Sequence, residues 1–357
     1  MSKLFALDLG NKQVKMYTRY GAKVFPSYFI DAEEFGNRDL LKYEKGARST
    51  SDYISTRDSD FTYVWGSGLR LRNKFVDASL RFAGRYNTRQ FKLLADFALA
   101  EMARSFDGAA GKTLDVTLVT GAPTDDYNAA DVTEQLGKAL KGIHAVTIDG
   151  ADYVVNVKTV TALPQPLGTF VDRTIDEDGY IIEDSPLLDV LVGVVDCGGG
   201  TVIVDAIDDM NLQKTLHGQY EEGAYSLYEN IRNALVEKGH KLTVHEVEAL
   251  VREGSAAEVY TWSPNSVTTL DFTDAVMKAR KKYSRRVASM ILEAYKDLSK
   301  FYCILITGGA ANLLIKDEIL AEIPMAEFVE DSEIANARGF YKFAKNSGLG
   351  DDEDEEE

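Results

Sequence analysis

The chain has 357 residues, of which 45% are hydrophobic and only 7 are proline, so it can bury one large core or two moderate ones. Its 40 basic and 57 acidic residues give a formal charge of −17, which disfavours direct binding to nucleic acid or to anionic lipid. Two cysteines and four scattered histidines exclude a disulfide framework and a Cys/His zinc cluster. The first ten residues resemble neither a signal peptide nor a transit peptide, and no apolar run approaches membrane length, so we expect a cytoplasmic protein.

The first part of the chain predicts a hairpin followed by alternating helices and strands. The β-rich run 3–9 stops at Gly10-Asn11, and an alternating apolar pattern resumes at Val14. Thr88 is a suitable N-cap for a helix that includes residues 90–106, whose apolar residues recur at helical spacing. The next predicted elements are a buried strand at 115–119, a helix near 127–140 and strands at 144–148 and 153–161, which end at Pro164-Gln165-Pro166.

The second part repeats this alternation after an acidic, turn-rich segment at 172–189, which predicts a surface loop with a hairpin about Asp178-Gly179. The elements predicted after it are strands at 190–195, 202–207 and 302–306, helices at 223–238, 273–300 and 332–345, and a short helical AANLLI segment at 310–315. The final DDEDEEE, residues 351–357, predicts a self-repelling, disordered tail.

Two segments of the sequence, FALDLGNKQVKMY and GVVDCGGGTVIVD, are weakly similar. Their alignment matches Asp8 with Asp196, Gly10 with Gly198 and Val14 with Val202. Each copy predicts a strand that ends in an aspartate, a turn of small residues and a second strand, a pattern that holds backbone N–H groups around an anion. One such hairpin is usually only a turn, but two facing copies would grip a polyphosphate, with both carboxylates directed through water at its Mg²⁺ and Lys15 adding a positive charge.

A third motif, 304–312, runs from a buried strand into a glycine pair and then into a helix. Glycines at this place let a flat ring or a ribose approach the backbone, although an ordinary strand-to-helix turn gives the same pattern. Three other phosphate-binding classes are excluded, because the sequence has no G-x-x-x-x-G-K-[ST], no kinase glycine loop followed by H-R-D and no G-x-G-x-x-G after the first strand.

The order of these motifs resembles the actin superfamily of actins, sugar kinases and heat-shock chaperone ATPase domains over nearly the whole chain. Length, a compact first loop and the lack of large insertions are most similar to the plasmid-segregation actins of the ParM and Alp type. The resemblance implies an α/β fold of two actin-like (ribonuclease-H-like) domains that flank a nucleotide cleft. The implied domains are 1–165 with 334–350 for the first and 166–333 for the second, followed by the acidic tail 351–357.

The resemblance also implies roles for individual residues. Asp8 and Asp196 would contact Mg²⁺ through water, and Gln165 would orient the water that attacks the nucleotide. The residues implied to bind the nucleotide are Gly10, Asn11, Lys12 and Lys15 in the first loop, Gly198, Gly199, Gly200 and Thr201 in the second, Gly218, Glu222 and Gly223 at a glycine-headed helix, and Thr307, Gly308, Gly309, Ala310 and Ala311 in the adenosine motif.

The function implied is a filament-forming, Mg-dependent ATPase, with GTP as the alternative nucleotide, that drives plasmid segregation. Its partners would be further copies of itself and a DNA-binding adaptor of the ParR type, with no direct contact to nucleic acid or membrane. A small-molecule kinase of the same superfamily is the rival, although no aspartate is placed clearly as its base. Another prokaryotic actin with a cytoskeletal role is the second rival.

Three features of the sequence can each be interpreted as structural or as functional. The basic run 278–286 is either a solvated helix face or a contact for an acidic neighbour or a nucleotide. Gln165 between two prolines is either the water-positioning residue or part of a rigid linker. Cys197 has no evident base partner and is expected to be a packing residue, not a nucleophile.

Overall fold

A computed structural model of the protein describes residues 2–35, 49–69, 76–77 and 84–350. The chain divides into two compact units: unit 1 comprises Met1–Pro186 and Ile334–Glu357, and unit 2 comprises Leu187–Glu333. The predicted disordered tail 351–357 lies outside the described residues. In the described part of the chain no helix is long and apolar enough to cross a lipid bilayer.

The strands and helices follow in chain order. The strands of unit 1 are β1 (Lys3–Leu9), β2 (Gln13–Thr18), β3 (Gly21–Pro26), β4 (Tyr28–Asp31), β5 (Ser51–Ser55), β6 (Tyr63–Trp65), β7 (Val76–Asp77), β8 (Thr113–Ala122), β9 (Gly142–Ile148) and β10 (Ala151–Pro164). The strands of unit 2 are β11 (Val192–Cys197), β12 (Val202–Asp208), β13 (Asn211–Leu212), β14 (Gly218–Tyr220), β15 (Thr261–Trp262), β16 (Leu270–Asp271), β17 (Cys303–Thr307) and β18 (Ala326–Phe328).

The α-helices alternate with groups of strands along the chain. Those that precede unit 2 are α1 (Ala32–Phe35), α2 (Arg89–Ala103), α3 (Thr124–Asn128), α4 (Ala130–Leu140) and α5 (Gln165–Thr174). Those of unit 2 are α6 (Ala224–Glu237), α7 (Val244–Gly254), α8 (Thr273–Tyr295) and α9 (Lys316–Leu320), after which the chain returns to unit 1 with α10 (Ala335–Asn346).

The sheet of unit 1 has the strand order β3-β2-β1-β8-β10-β9-β5-β6-β4-β7. Strands β1, β2 and β3 pair antiparallel, whereas β8 is parallel to β1 and β10 is parallel to β8. Strand β1 is buried on both faces: Phe5 packs in a cluster with Phe97 of α2, and Leu4 packs in a cluster with Phe340 of α10. This two-sided burial explains why β1 is a nearly continuous apolar run.

The main sheet of unit 2 has the order β13-β12-β11-β17-β18, with β14 also pairing with β12. As in unit 1, the first strand, β11, is antiparallel to the second and parallel to the strand on its other side, and β18 is parallel to β17. The weak sequence repeat therefore corresponds to one topology that occurs twice. The last paired positions before each turn are Leu9 with Val14 and Cys197 with Val202, so both turns contain the same number of residues.

The boundary predicted after residue 165 differs from the structure, in which unit 1 continues to Pro186. Helix α5 stays in unit 1 because it crosses α10 at very short distance: a Cβ on Gly339 would lie 1.8 Å from the carbonyl oxygen of Gly168. Beside this crossing, Arg338 donates two hydrogen bonds of 2.7 Å each to the buried carboxylate of Asp172. Such a bidentate pair fixes the mutual orientation of the two helices.

Three predicted helices differ in detail. The helix near 127–140 is broken at Ala129 into α3 and α4, and the long helix over 273–300 ends at Tyr295, where Lys296 has a left-handed φ of 58°. The AANLLI segment forms only a 3₁₀ turn, Ala311–Leu313. The predicted hairpin about Asp178-Gly179 is present, since an antiparallel bridge joins Ile175 and Ile181.

Candidate functional site

The first glycine turn lies at the end of β1 in unit 1, beside the fully buried Asp8. One carboxylate oxygen of Asp8 accepts a hydrogen bond of 2.9 Å from Lys15 Nζ, which lies opposite it on β2. The other oxygen accepts a hydrogen bond of 2.8 Å from Gln165 Nε2. Three residues with predicted roles in the chemistry, Asp8, Lys15 and Gln165, therefore form one cluster.

The turn itself, residues 10–13, is held from outside by two residues that the sequence did not indicate. The buried Ser27 donates from its hydroxyl to the carbonyl of Gly10 at 2.6 Å, and its backbone N–H donates to the carbonyl of Lys12 at 3.0 Å. Arg85 donates to Oδ1 of Asn11 at 2.9 Å. A Cβ on Gly10 would come within 2.9 Å of the Gln13 carbonyl oxygen, so this turn needs glycine.

Gln165 is the first residue of α5 and is buried. Pro164 ends β10, and Pro166 lies in the first helical turn, where the missing N–H is not needed for a helical hydrogen bond. The Gln165 side chain passes over Gly121 of β8, whose added Cβ would meet Gln165 Cγ at 3.0 Å. Gln165 thus begins a helix, and its side chain is hydrogen-bonded to Asp8. A residue that only links two segments needs no such side-chain contact.

The second glycine turn, Gly198–Thr201, joins β11 to β12 in unit 2 and is closed by a hydrogen bond of 2.8 Å from Gly198 N to Thr201 O. The start of α6 packs directly against this turn. The backbone N–H groups of Ala224 and Tyr225 donate to the carbonyls of Gly198 and Gly199 at 3.1 and 2.9 Å. The carbonyls of Gly198 and Gly199 are therefore both bound to the start of α6.

The predicted adenosine motif also meets this turn. Gly308 has a φ of 89°, and a Cβ there would lie 2.3 Å from Oδ1 of Asp196. The backbone N–H of Ala310 donates to the carbonyl of Cys197 at 2.8 Å, and Ser332 exchanges hydrogen bonds with Gly308. In unit 2 the structure thus brings together Asp196, its glycine turn and the segment Thr307–Ala311. Ser332 is a further support that sequence patterns did not indicate.

The predicted glycine-headed helix is present, with Gly223 as the residue before α6. A Cβ on Gly223 would lie 2.6 Å from the carbonyl oxygen of Gly198, so glycine is required for the contact. Gly218 is not at this helix start but opens strand β14, paired with Val204. Glu222 is bound by Arg286 of α8 through its guanidinium, with the shortest contact at 2.9 Å.

The basic run 278–286 is largely neutralised within unit 2. Arg280 is buried and donates to Glu258, to Tyr260 and to two backbone carbonyls. Lys281 and Arg285 both bind Glu318. These contacts favour the structural reading of the run over a binding surface.

Cys197 is fully buried, and burial together with the neighbouring Asp196 carboxylate raises the pKa of its thiol above the usual range. A thiol that resists ionisation is a poor nucleophile, which supports a packing role. Among the described residues, no group of three or more His, Cys, Asp or Glu side chains could hold a metal ion.

The chain matches two families of known protein domains. Residues 6–168 match the family described as the N-terminal domain of actin-like proteins, and residues 191–333 match the Alp7A C-terminal domain. Among curated proteins, none has a significant sequence similarity to this chain.

Several solved structures share the fold. The apo form of pSK41 ParM is 22% identical, with a TM-score of 0.72 over 97% of this chain and 98% of its own. A subunit of a 15-stranded ParM filament from Clostridium botulinum is 19% identical, with a TM-score of 0.76 over 97% and 99%. Alp7A is 13% identical, with a TM-score of 0.74 over 97% of each chain. The chain matches two domain families of actin-like proteins, and its strand topology occurs twice. It therefore belongs to the actin-like proteins, in the group of ParM and the Alp proteins.

Proposed function

We propose that this protein is a Mg-dependent ATPase, with GTP as the alternative nucleotide, that assembles into filaments and drives plasmid segregation. The observation that carries the proposal is the duplicated hairpin, with Asp8 and Asp196 at equivalent places before two glycine turns of equal length. The first turn has no room for a side chain at Gly10, and we infer that backbone N–H groups of the two turns bind phosphate oxygens.

The residues at the two turns fit a nucleotide bound with Mg²⁺. Lys15 would bind phosphate oxygens as a point charge, and Gly308 to Ala311 would lie against the adenosine. Bound Mg²⁺ would neutralise charge on the β- and γ-phosphates, and Asp8 and Asp196 would hold its water ligands. Phosphate transfer to water requires no covalent bond to the protein. The protein would therefore contribute by positioning the reactants and by stabilising the charge of the transition state.

Gln165 is the residue we propose to orient the attacking water. Its amide now donates to Asp8, so orienting a water with the amide oxygen leaves this hydrogen bond intact. A neutral amide is a poor proton acceptor, and hydrolysis by the monomer should therefore be slow. Filament contacts would accelerate it by closing the site around the nucleotide and the attacking water.

Self-assembly is supported by the fold, because the Clostridium botulinum protein of the same fold was solved as a filament. We further propose that DNA is reached through a basic adaptor of the ParR type. The formal charge of −17 supports an indirect contact, since it opposes binding of the chain itself to a polyanion.

Sedimentation combined with phosphate release tests the proposal. The protein should pellet with ATP and Mg²⁺ above a critical concentration and then release phosphate, and neither should occur when Mg²⁺ is chelated. A protein that stays monomeric at every concentration and transfers phosphate to a sugar would instead be the small-molecule kinase.

A further inference from the structure

A cavity of about 420 Å³ lies in unit 1 at the starts of β1 and β8. These strands are parallel, so their first residues lie at the same end of the sheet. Asp8 lies near the opposite end of β1. The cavity is therefore separate from the first glycine turn. Its walls are formed by Lys3, Arg19, Tyr20 and the segments 106–109 and 112–114.

The inner surface of the cavity is aromatic and carries an oriented guanidinium. The carbon Cζ of Arg19 lies 4.8 Å from the ring centre of Tyr20 and 5.4 Å from that of Phe106. Arg19 also donates to the Tyr20 hydroxyl at 2.6 Å. Stacking on two aromatic rings restricts the guanidinium, so little further side-chain entropy is lost when it binds a carboxylate.

The charge of the cavity is opposite to that of the whole protein. Its lining contains the three cations Lys3, Arg19 and Lys112 and one acidic residue, Asp107, whereas the chain carries −17. A concave site with an aromatic base and excess positive charge suits an acidic peptide better than a neutral ligand.

The last described residue, Gly350, lies beside the same end of the sheet, near the start of β1. A Cβ built on it would be 3.3 Å from the carbonyl oxygen of Ser2 and 3.6 Å from Cβ of Leu4, the two neighbours of Lys3. The next residues in the sequence are DDEDEEE, a run of seven acids. Seven residues can reach roughly 23 Å when extended, which is ample for a cavity that begins at Lys3.

We propose that this basic cavity binds the acidic run 351–357 of the same chain. The short tether gives the run an effective concentration on the order of millimolar, so weak individual contacts suffice for occupancy. Because Lys112 is exposed and Lys3 and Arg19 are partly exposed, salt should weaken the contacts. The inference is independent of nucleotide binding, since it involves neither glycine turn.

Zero-length carbodiimide coupling of lysine amines to carboxyl groups tests the proposal on the full chain. Peptide mapping should find residues 351–357 joined to Lys3 or Lys112, in protein that runs at monomer mass at every dilution. The exposed Lys141 and Lys238 serve as internal controls and should couple far less. Equal coupling to all four lysines, or pocket coupling found only at dimer mass, would overturn the proposal.

A competition experiment gives an independent result. A labelled DDEDEEE peptide should bind a full-length variant whose seven terminal acids are replaced by their amides, and should bind the unmodified chain at least about tenfold more weakly, because the tethered run competes. Lys112→Glu in the amide variant should weaken peptide binding by about tenfold. Lys141→Glu, a matched surface change in the same unit, should leave it unchanged. Equal loss in both variants, or no binding at all, would contradict a specific site.

Discussion

The Nε2 amide of Gln165 donates a hydrogen bond of 2.8 Å to Oδ1 of Asp8, although 157 positions separate the two residues. The same carboxylate binds Lys15 through its other oxygen. Asp8 thereby joins the first glycine turn to the start of α5.

Gln165→Ala should separate nucleotide binding from hydrolysis. The substitution leaves the glycine turns intact but removes the proposed water-orienting amide, so phosphate release should fall by roughly 10² to 10³ while nucleotide affinity is preserved. Filaments should form with ATP and then persist, as followed by light scattering and phosphate release on one sample. Gln213→Ala, at a partly exposed glutamine, is the control. Normal phosphate release and normal filament decay in Gln165→Ala would return Gln165 to a purely structural role.

Asp8→Ala and Asp196→Ala should both abolish Mg-dependent hydrolysis but should differ in stability. Asp8 is fully buried in an ion pair with Lys15, so its truncation should also lower the free energy of unfolding by about 3 kcal/mol. Asp8→Asn preserves side-chain volume and should be less destabilising while still inactive. Urea unfolding and phosphate release measured on the same preparations decide this. Wild-type hydrolysis in both alanine variants would contradict the assignment of the two turns.

Gly308→Ala should disrupt unit 2 at the adenosine motif. The added methyl group would lie 2.3 Å from the Asp196 carboxylate, in a backbone conformation with a φ of 89°. Gly150→Ala is the matched control, because Gly150 has a φ of 85° but no atom within 4 Å of the added Cβ. Both variants carry the left-handed strain of about 1 kcal/mol, and only Gly308→Ala should also lose nucleotide affinity. Equal affinity in the two variants, measured with a fluorescent ATP analogue, would argue against the motif.

Gly339→Ala should destabilise unit 1 by more than about 2 kcal/mol, because its methyl group would overlap the Gly168 carbonyl where α5 and α10 cross. Gly137→Ala tests the intrinsic helix propensity at a site in α4 where the added Cβ meets nothing within 4 Å. That change should stabilise the helix by roughly 0.5 to 1 kcal/mol. Thermal unfolding of both variants measures the two changes in stability. Gly339→Ala should lower the melting temperature and Gly137→Ala should raise it.

The buried carboxylate of Asp96 should make stability depend on pH. Burial alone would raise its pKa, but hydrogen bonds from His144, Arg57 and Ser55 outweigh this effect and hold the pKa below its ordinary value. A pKa that is lower in the folded than in the unfolded state stabilises the fold above the ordinary pKa, and this contribution is lost as the pH falls through the folded value.

Asp96→Asn should therefore be clearly less stable than wild type at pH 7, and the difference should shrink below about pH 4. Urea unfolding at several pH values measures it. Asp115→Asn, at an exposed carboxylate, should show little difference at any pH. A constant deficit of Asp96→Asn from pH 7 to pH 3 would contradict the ionic role.

The parts of the fold that depend on neighbours in sequence were predictable. Both hairpins, and the helix start at Thr88, which caps the N–H of Phe91, follow from local patterns. Helix α7 was missed although Thr243 and Glu246 form a capping box there, which is a local signal that pattern reading could have used. The actin-like family was likewise correctly identified from motif order.

The remaining differences arise from contacts between distant segments. Assigning α5 to unit 1 requires knowing that Gly168 meets Gly339, and no property of the sequence near residue 165 contains that information. The bond from Gln165 to Asp8 depends on β10, β8 and β1 being adjacent in the sheet. The supporting contacts of Ser27 with the first turn have the same origin, since a lone serine carries no motif.

The division of unit 1 into two stretches of chain has a consequence for biosynthesis. Helix α10 covers the β1 face that contains Leu4, but it leaves the ribosome only after all of unit 2 has been made. Unit 2 is one continuous segment and can complete its own core first. Its folding shortens the loop that must close to bring α10 onto β1, and so lowers the entropy cost of the last step. The amino-terminal strand, although synthesised first, is among the last parts of the molecule to be fully buried.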